Sequence, residues 1–229
     1  MVGASTPGRQ VLLAGASGLI GRELLALLLR QQGTATLQLL LRRKLPDLPR
    51  DARLVVHAGI DFTALPALPP LDDAYIALGT TIKVAGSQAA FRAVDFDAVV
   101  NTARAAQAAG ARRIAIVSAL GADAKSAVFY NRVKGEMQDA VRALGVETGV
   151  FAQPSLLVGD RAALGQPTRR GEVWAARLLG PVMGRVPASV RPIEAATVAQ
   201  ALVRTMKELA PGVHYLSSAR LQQLGLAPS

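Results

Sequence analysis

Gly15-Ala16-Ser17-Gly18-Leu19-Ile20-Gly21 follows the apolar run Val11-Leu12-Leu13-Ala14 and leads into Leu24, Leu25, Leu27 and Leu28. A short continuous apolar block reads as a strand buried on both faces, and the leucine spacing after it reads as one face of a helix. Glycines in such a strand-to-helix turn allow a tight bend, close approach of backbone N–H groups to a pyrophosphate, and close packing of helix on strand. A merely structural turn needs one glycine, whereas this one has three at the motif spacing. The segment therefore points to dinucleotide binding by Gly15, Ser17, Gly18, Leu19, Ile20 and Gly21, with phosphate at the positive end of the helix.

Outward from this turn, short apolar blocks alternate with stretches of helical period. Strands are expected at 10–14, 37–41, 53–57, 74–78, 113–117, 147–151 and 213–215, and helices at 19–31, 87–109, 127–144 and 194–209. That alternation predicts an α/β chain, a doubly wound parallel-sheet Rossmann fold. Residues 1–229 read as a single domain, in which a Gly- and Pro-punctuated stretch at about 155–192 forms a small C-terminal lobe covering the substrate. The Pro-containing segments 45–50 and 63–71 read as surface connections.

Composition removes several chemistries. The chain has no cysteine, which excludes disulfides, thiolate metal sites and cysteine nucleophiles. Its two histidines, His57 and His214, sit in no hydrolase motif, and no metal site is expected. The net charge of +10 would suit a polyanion, but residues 1–115 and 116–229 each carry 13 basic and 8 acidic groups, so the excess is spread rather than gathered in a tail. Nucleic acid is accordingly not the expected partner. No uncharged stretch approaches the ~20 residues a membrane span needs. The apolar run from Val11 to Ile20 reads as fold rather than leader, which makes the cytoplasm the expected location.

A site preferring NAD carries an acidic residue about 20 positions beyond the glycine turn, to hold the ribose 2′-hydroxyl. Here the second strand ends in Arg42-Arg43-Lys44, with Arg42 21 positions after Gly21. A basic cluster there suits a 2′-phosphate, so NADP(H) is expected in preference to NAD(H). Asp61, with Phe62 beside it, follows the third strand where an adenine amino group would need an acceptor. Tyr130 and Lys134 stand four apart on one helix face, where the cation favours the phenolate, and Ser118 ends the fifth strand. Together with the upstream glycines, these three form an acid–base set for carbonyl or alcohol chemistry.

GASGLIG, the Ser118 strand end and Tyr130-Asn131-Arg132-Val133-Lys134 resemble the short-chain dehydrogenase/reductase superfamily in its atypical, shortened branch. RRKL at 42–45, ALGTT at 77–81, AVDFD at 93–97, SALGAD at 118–123 and YNRVKGE at 130–136 are similar to the Tat-interacting-protein-like oxidoreductases and their bacterial relatives. The resemblance implies that Tyr130 donates and accepts the proton, Lys134 holds the nicotinamide ribose and tunes Tyr130, and Ser118 orients the substrate oxygen. It further implies that Leu78, Gly79 and Thr80 line the cofactor, and that Pro154, Leu156 and Leu157 meet the carboxamide. Two positions depart from the pattern of longer relatives: Asp95 stands where Asn is common, and Gln153 precedes Pro154 where Arg is common.

Residues 161–191 hold six arginines, among them Arg161 and Arg191, against the single acid Glu172. An anionic small-molecule substrate is the expectation this raises. The leading reading is an NADP(H)-dependent oxidoreductase. Its rivals are a nucleotide-binding regulator or redox sensor that meets a protein partner without turnover, and an epimerase or dehydratase that retains its cofactor. Monomer and homodimer both stay open.

Overall fold

A computed structural model describes residues 8–158 and 187–227. Its strands are β1 (Arg9–Ala14), β2 (Thr34–Leu41), β3 (Leu54–Ala58), β4 (Asp73–Ile76), β5 (Arg113–Val117), β6 (Thr148–Gln153), β7 (Leu157–Val158), β8 (Ile193–Glu194) and β9 (Gly212–Ser217). Seven of them form one parallel sheet in the order β3-β2-β1-β4-β5-β6-β9, and β7 and β8 make a separate parallel pair. The chain runs outward from β1 to β3, then crosses back to β4 on the other side of β1. The carboxyl ends of β1 and β4 thus flank the topological switch point, where a doubly wound sheet leaves a crevice.

Alternation along β1 explains why both faces are covered. Leu13 packs with Leu24, Leu25 and Leu28 of helix α1 (Leu19–Arg30), whereas Leu12 faces the opposite core; both leucines are wholly buried. Burial of a leucine side chain stabilises by about 1.5–3 kcal/mol. The α2 (Ile82–Ala85) and α3 (Gln88–Arg92) helices are short, and a π-helical segment, Ala93–Ala98, joins α3 to α4 (Val99–Ala108). Val99, Val100, Ala103 and Ala106 of α4 and Met137 and Val141 of α5 (Phe129–Arg142) close the Leu12 face. The Leu13 face also takes Val198, Leu202 and Met206 of α6 (Ala195–Glu208) and Leu221 of α7 (Ser218–Leu226).

Several elements differ from expectation, the short helix α2 among them, which the apolar pattern did not announce. The single helix expected over 87–109 is broken by the π-helical segment, which turns Asp95 into the interior. Such insertions change the helical register locally and recur at functional sites. Helix α7, opened by the Ser217 hydroxyl accepting from the Arg220 N–H, and the β7–β8 pair were not anticipated.

At the amino edge of the sheet, remote from the crevice, the buried Asp73 carboxylate accepts two hydrogen bonds from each of Arg9 and Arg113. This pairing raises the Arg113 guanidinium further above its ordinary range. It ties β1, β4 and β5 together and takes no part in the site.

Candidate active site

Each glycine of the β1–α1 turn has a different neighbour. Gly15 has φ +94°, and a Cβ there would stand 2.5 Å from the Ala77 carbonyl group just beyond β4. A Cβ at Gly21 would stand 2.0 Å from the Gly15 carbonyl oxygen. Both glycines are therefore required by packing. Gly18 is not: it has ordinary extended angles, φ −87° and ψ 170°, and its Cβ would meet nothing closer than the Gly15 oxygen at 3.4 Å. Its missing side chain leaves open space in front of α1. No side chain caps that helix and no acid lies in its first turn, so its leading N–H groups and dipole face the opening. Ile20 is 4% exposed with its side chain in the core, so only its backbone is available to a ligand, while Ser17 is exposed. This cradle fits a pyrophosphate.

Beside it, β2 pairs with β1 and ends at Leu41, which puts Arg42, Arg43 and Lys44 in solvent. Among the described residues none of these three is engaged in an ion pair. The exposed Asp61 is partly engaged, because its Oδ1 accepts from the Thr63 N–H and hydroxyl, each at 2.8 Å. Those bonds hold its carboxyl below the usual range and leave Oδ2 for a ligand. Phe62 is half-buried against the second core, and its carbonyl accepts from Asn101 Nδ2 at 3.0 Å.

On the other side of the crevice, α5 presents Tyr130, Lys134 and Gln138 at intervals of four. The Lys134 ammonium lies 2.7 Å from Asp95 Oδ1, with side chains only 4% and 1% exposed. Asp95 Oδ2 accepts from the Thr80 N–H at 2.8 Å, so that amide is bound within the protein. Gly79 passes directly over the pair: a Cβ there would stand 3.4 Å from Asp95 Oδ1 and 3.8 Å from Lys134 Nζ. Residues 77–79 thus touch the glycine turn at one end and, through Lys134, helix α5 at the other. The half-buried Tyr130 ring packs on Phe91, with centroids 5.3 Å apart. Tyr75, by contrast, lies inside the sheet, where burial pushes its phenol far above the usual value.

Ser118 is buried just past β5, its N–H bonded to the Ala152 carbonyl at 2.7 Å and its Oγ accepting from Gln138 Nε2 at 2.6 Å. The loop that follows closes on α5 at Gly135, where a Cβ would stand 2.1 Å from the Ala124 nitrogen. Leu78 is half-buried against the core that holds Leu12 and Ile76. Pro154 is buried, its carbonyl accepting from the Leu120 N–H at 2.9 Å. Leu156 is exposed, and Leu157 pairs with Ile193 in the β7–β8 unit. Arg191 is half-buried, its carbonyl accepting from the Ser155 hydroxyl. Arg161 and the other arginines of that stretch, 169, 170, 177 and 185, lie outside the described residues.

Sequence reasoning missed the part played by Asp95, which it registered only as a departure, and passed over Gln138 and Gly135. The available signal for Gln138 was its place one turn beyond Lys134 on the Tyr130 stripe.

Residues 15–147 match the model of a family described as NAD(P)H-binding. The protein fmp52 of Emericella nidulans, named mitochondrial, is 31% identical over 188 residues, covering 79% of this chain and 78% of the relative. The HTATIP2 protein of Rattus norvegicus is 35% identical over 173 residues, covering 74% and 69%. Among solved structures, the Helicobacter pylori ADP-L-glycero-D-manno-heptose-6-epimerase superposes with a TM-score of 0.67 at 15% identity, covering 92% of this chain and 77% of that one. MoeE5 in complex with UDP-glucose and NAD superposes with a TM-score of 0.66 at 18% identity, covering 90% and 75%. These two likenesses concern the fold. The expected cytoplasmic location is corrected here: the fmp52 relatives from Emericella nidulans and Lodderomyces elongisporus are named mitochondrial, and nothing in the residues that suggested cytoplasm bears on an organelle. Among the described residues no helix is long and apolar enough to cross a membrane.

Proposed function

Because this chain belongs to the NAD(P)H-binding family and is a relative of the HTATIP2 and fmp52 proteins, we propose that it is an NADP(H)-dependent oxidoreductase acting on a carbonyl or alcohol substrate. The observation that carries this reading is the meeting of the two halves of the crevice at residues 77–79. Gly15 packs on Ala77 there, and the Lys134–Asp95 pair lies beneath Gly79.

A bound nicotinamide supplies a hydride donor or acceptor at the reacting carbon. The chain supplies the rest. The open face at Gly18 and the first N–H groups of α1 bind the pyrophosphate. Arg42 and Arg43 present forked donors to a 2′-phosphate. Asp95 takes one direction of the Lys134 ammonium and leaves its other N–H groups for ribose hydroxyls. In reduction Tyr130 gives its phenolic proton to the substrate oxygen while Ser118 holds that oxygen; in oxidation Tyr130 takes the proton back. The six arginines against one acid in residues 161–191 support a small anionic substrate.

The cofactor preference has its own test. Arg42→Ala/Arg43→Ala is expected to weaken NADPH binding by about ten- to a hundredfold, the loss of charge-assisted hydrogen bonds to one phosphate, and to leave NADH binding within about twofold. Fluorescence titration of both nucleotides at one fixed ionic strength measures this. Equal losses for the two would contradict the assignment.

A further inference from the structure

Gln138 is 4% exposed, although it belongs to a helix whose outward face carries Arg132, Glu136, Asp139 and Arg142. A buried carboxamide is tolerated only when its donors and acceptor are engaged. Its Nε2 donates to Ser118 Oγ at 2.6 Å, and its Oε1 accepts from Gln153 Nε2 at 3.4 Å. Gln153 closes β6 and Ser118 follows β5, so the amide links two adjacent strand ends through the helix that carries Tyr130 and Lys134.

The direction of these bonds matters. A hydroxyl oxygen that accepts from an amide keeps its own proton for another acceptor. Among the described residues no group takes the Ser118 hydroxyl proton. We infer that Gln138 is a positioning residue: it holds the Ser118 hydroxyl so that its proton points to the substrate oxygen rather than to a protein acceptor. Gln138 touches neither substrate nor cofactor and acts through Ser118. This rests on the oxidoreductase reading above for the reaction, and on the free protein alone for the contact.

The test uses Gln138→Met, which keeps the volume and removes both polar atoms, Ser118→Ala, and the two combined. NADPH-dependent reduction of phenanthrenequinone and benzaldehyde is followed together with NADPH binding. Gln138→Met is expected to lower kcat by about ten- to a hundredfold with the NADPH Kd within about twofold, since only the orientation of one donor is lost. The double variant is expected to be no slower than Ser118→Ala, because Gln138 has nothing left to orient. In the free protein, the Gln138 side-chain amide resonances are expected to shift in Ser118→Ala. Losses that multiply in the double variant, an unchanged kcat in Gln138→Met, or amide resonances that ignore Ser118→Ala would each overturn the inference. A wild type that reduces neither compound, with resonances that do respond, would uphold the Gln138–Ser118 coupling and overturn the oxidoreductase reading instead.

Discussion

Replacing Asp95 by alanine is expected to lower the unfolding free energy by about 3–5 kcal/mol, the cost of leaving a buried charge without its partner. Lys134 and Asp95 are 4% and 1% exposed and 2.7 Å apart, so water replaces the carboxylate only poorly when it goes. The Thr80 N–H loses its acceptor in the same step. Against a total stability of about 5–15 kcal/mol for a typical domain, that loss is large. Urea denaturation of the free protein measures it. Asp95→Asn should fall between wild type and alanine, because its carbonyl still accepts from Thr80 while the charge is gone. Asp95→Leu/Lys134→Met removes both desolvation costs together and should recover most of the stability while leaving no reductase activity. A double variant as unstable as Asp95→Ala would show that the pair is not the source of the loss.

Tyr130→Phe is expected to lower kcat for carbonyl reduction by about a hundred- to ten-thousandfold, the range for removing a positioned general acid. The ring loses only its oxygen, so its packing on Phe91 at 5.3 Å persists and stability should hardly change. NADPH binding should stay within about threefold, since the cradle and the basic cluster lie on the other side of the crevice. Steady-state rates and a parallel NADPH titration separate these effects. A phenylalanine variant within tenfold of wild type would place the proton transfer on another group.

The sheet could be read from the sequence because its strands are locally declared: continuous apolar blocks such as Leu12-Leu13-Ala14 admit few other structures. The glycine turn was equally local. The π-helical segment was not, because Ala-rich residues 87–109 offer little apolar contrast in which a change of register could be read, and what selects it is tertiary: Asp95 reaching Lys134, 39 positions away. Tyr130 and Lys134 announced themselves by residue type. Gln138 did not, since a buried glutamine and a solvated one look alike until the neighbouring strand ends are known. Helix α7 hid for a related reason, its burial resting mainly on Leu221 and on small residues against α6. The basic cluster at Arg42–Lys44 was visible as charge, and the structure adds that it stands free beside β1. Location left no mark on the residues that build the fold.

The space in front of Gly18 is the proposed seat of the pyrophosphate of a dinucleotide. Gly18 offers the cleanest approach to it, because its extended backbone angles suit any residue and a Cβ there meets nothing closer than 3.4 Å. Wild type and Gly18→Val should be titrated side by side with NADPH by cofactor fluorescence, with thermal unfolding of each as the control. Wild type is expected to bind, and Gly18→Val to unfold at nearly the same temperature yet bind at least about thirtyfold more weakly, as a branched side chain must displace the phosphates. Equal binding by both proteins, or none by wild type, would contradict that seat for the pyrophosphate.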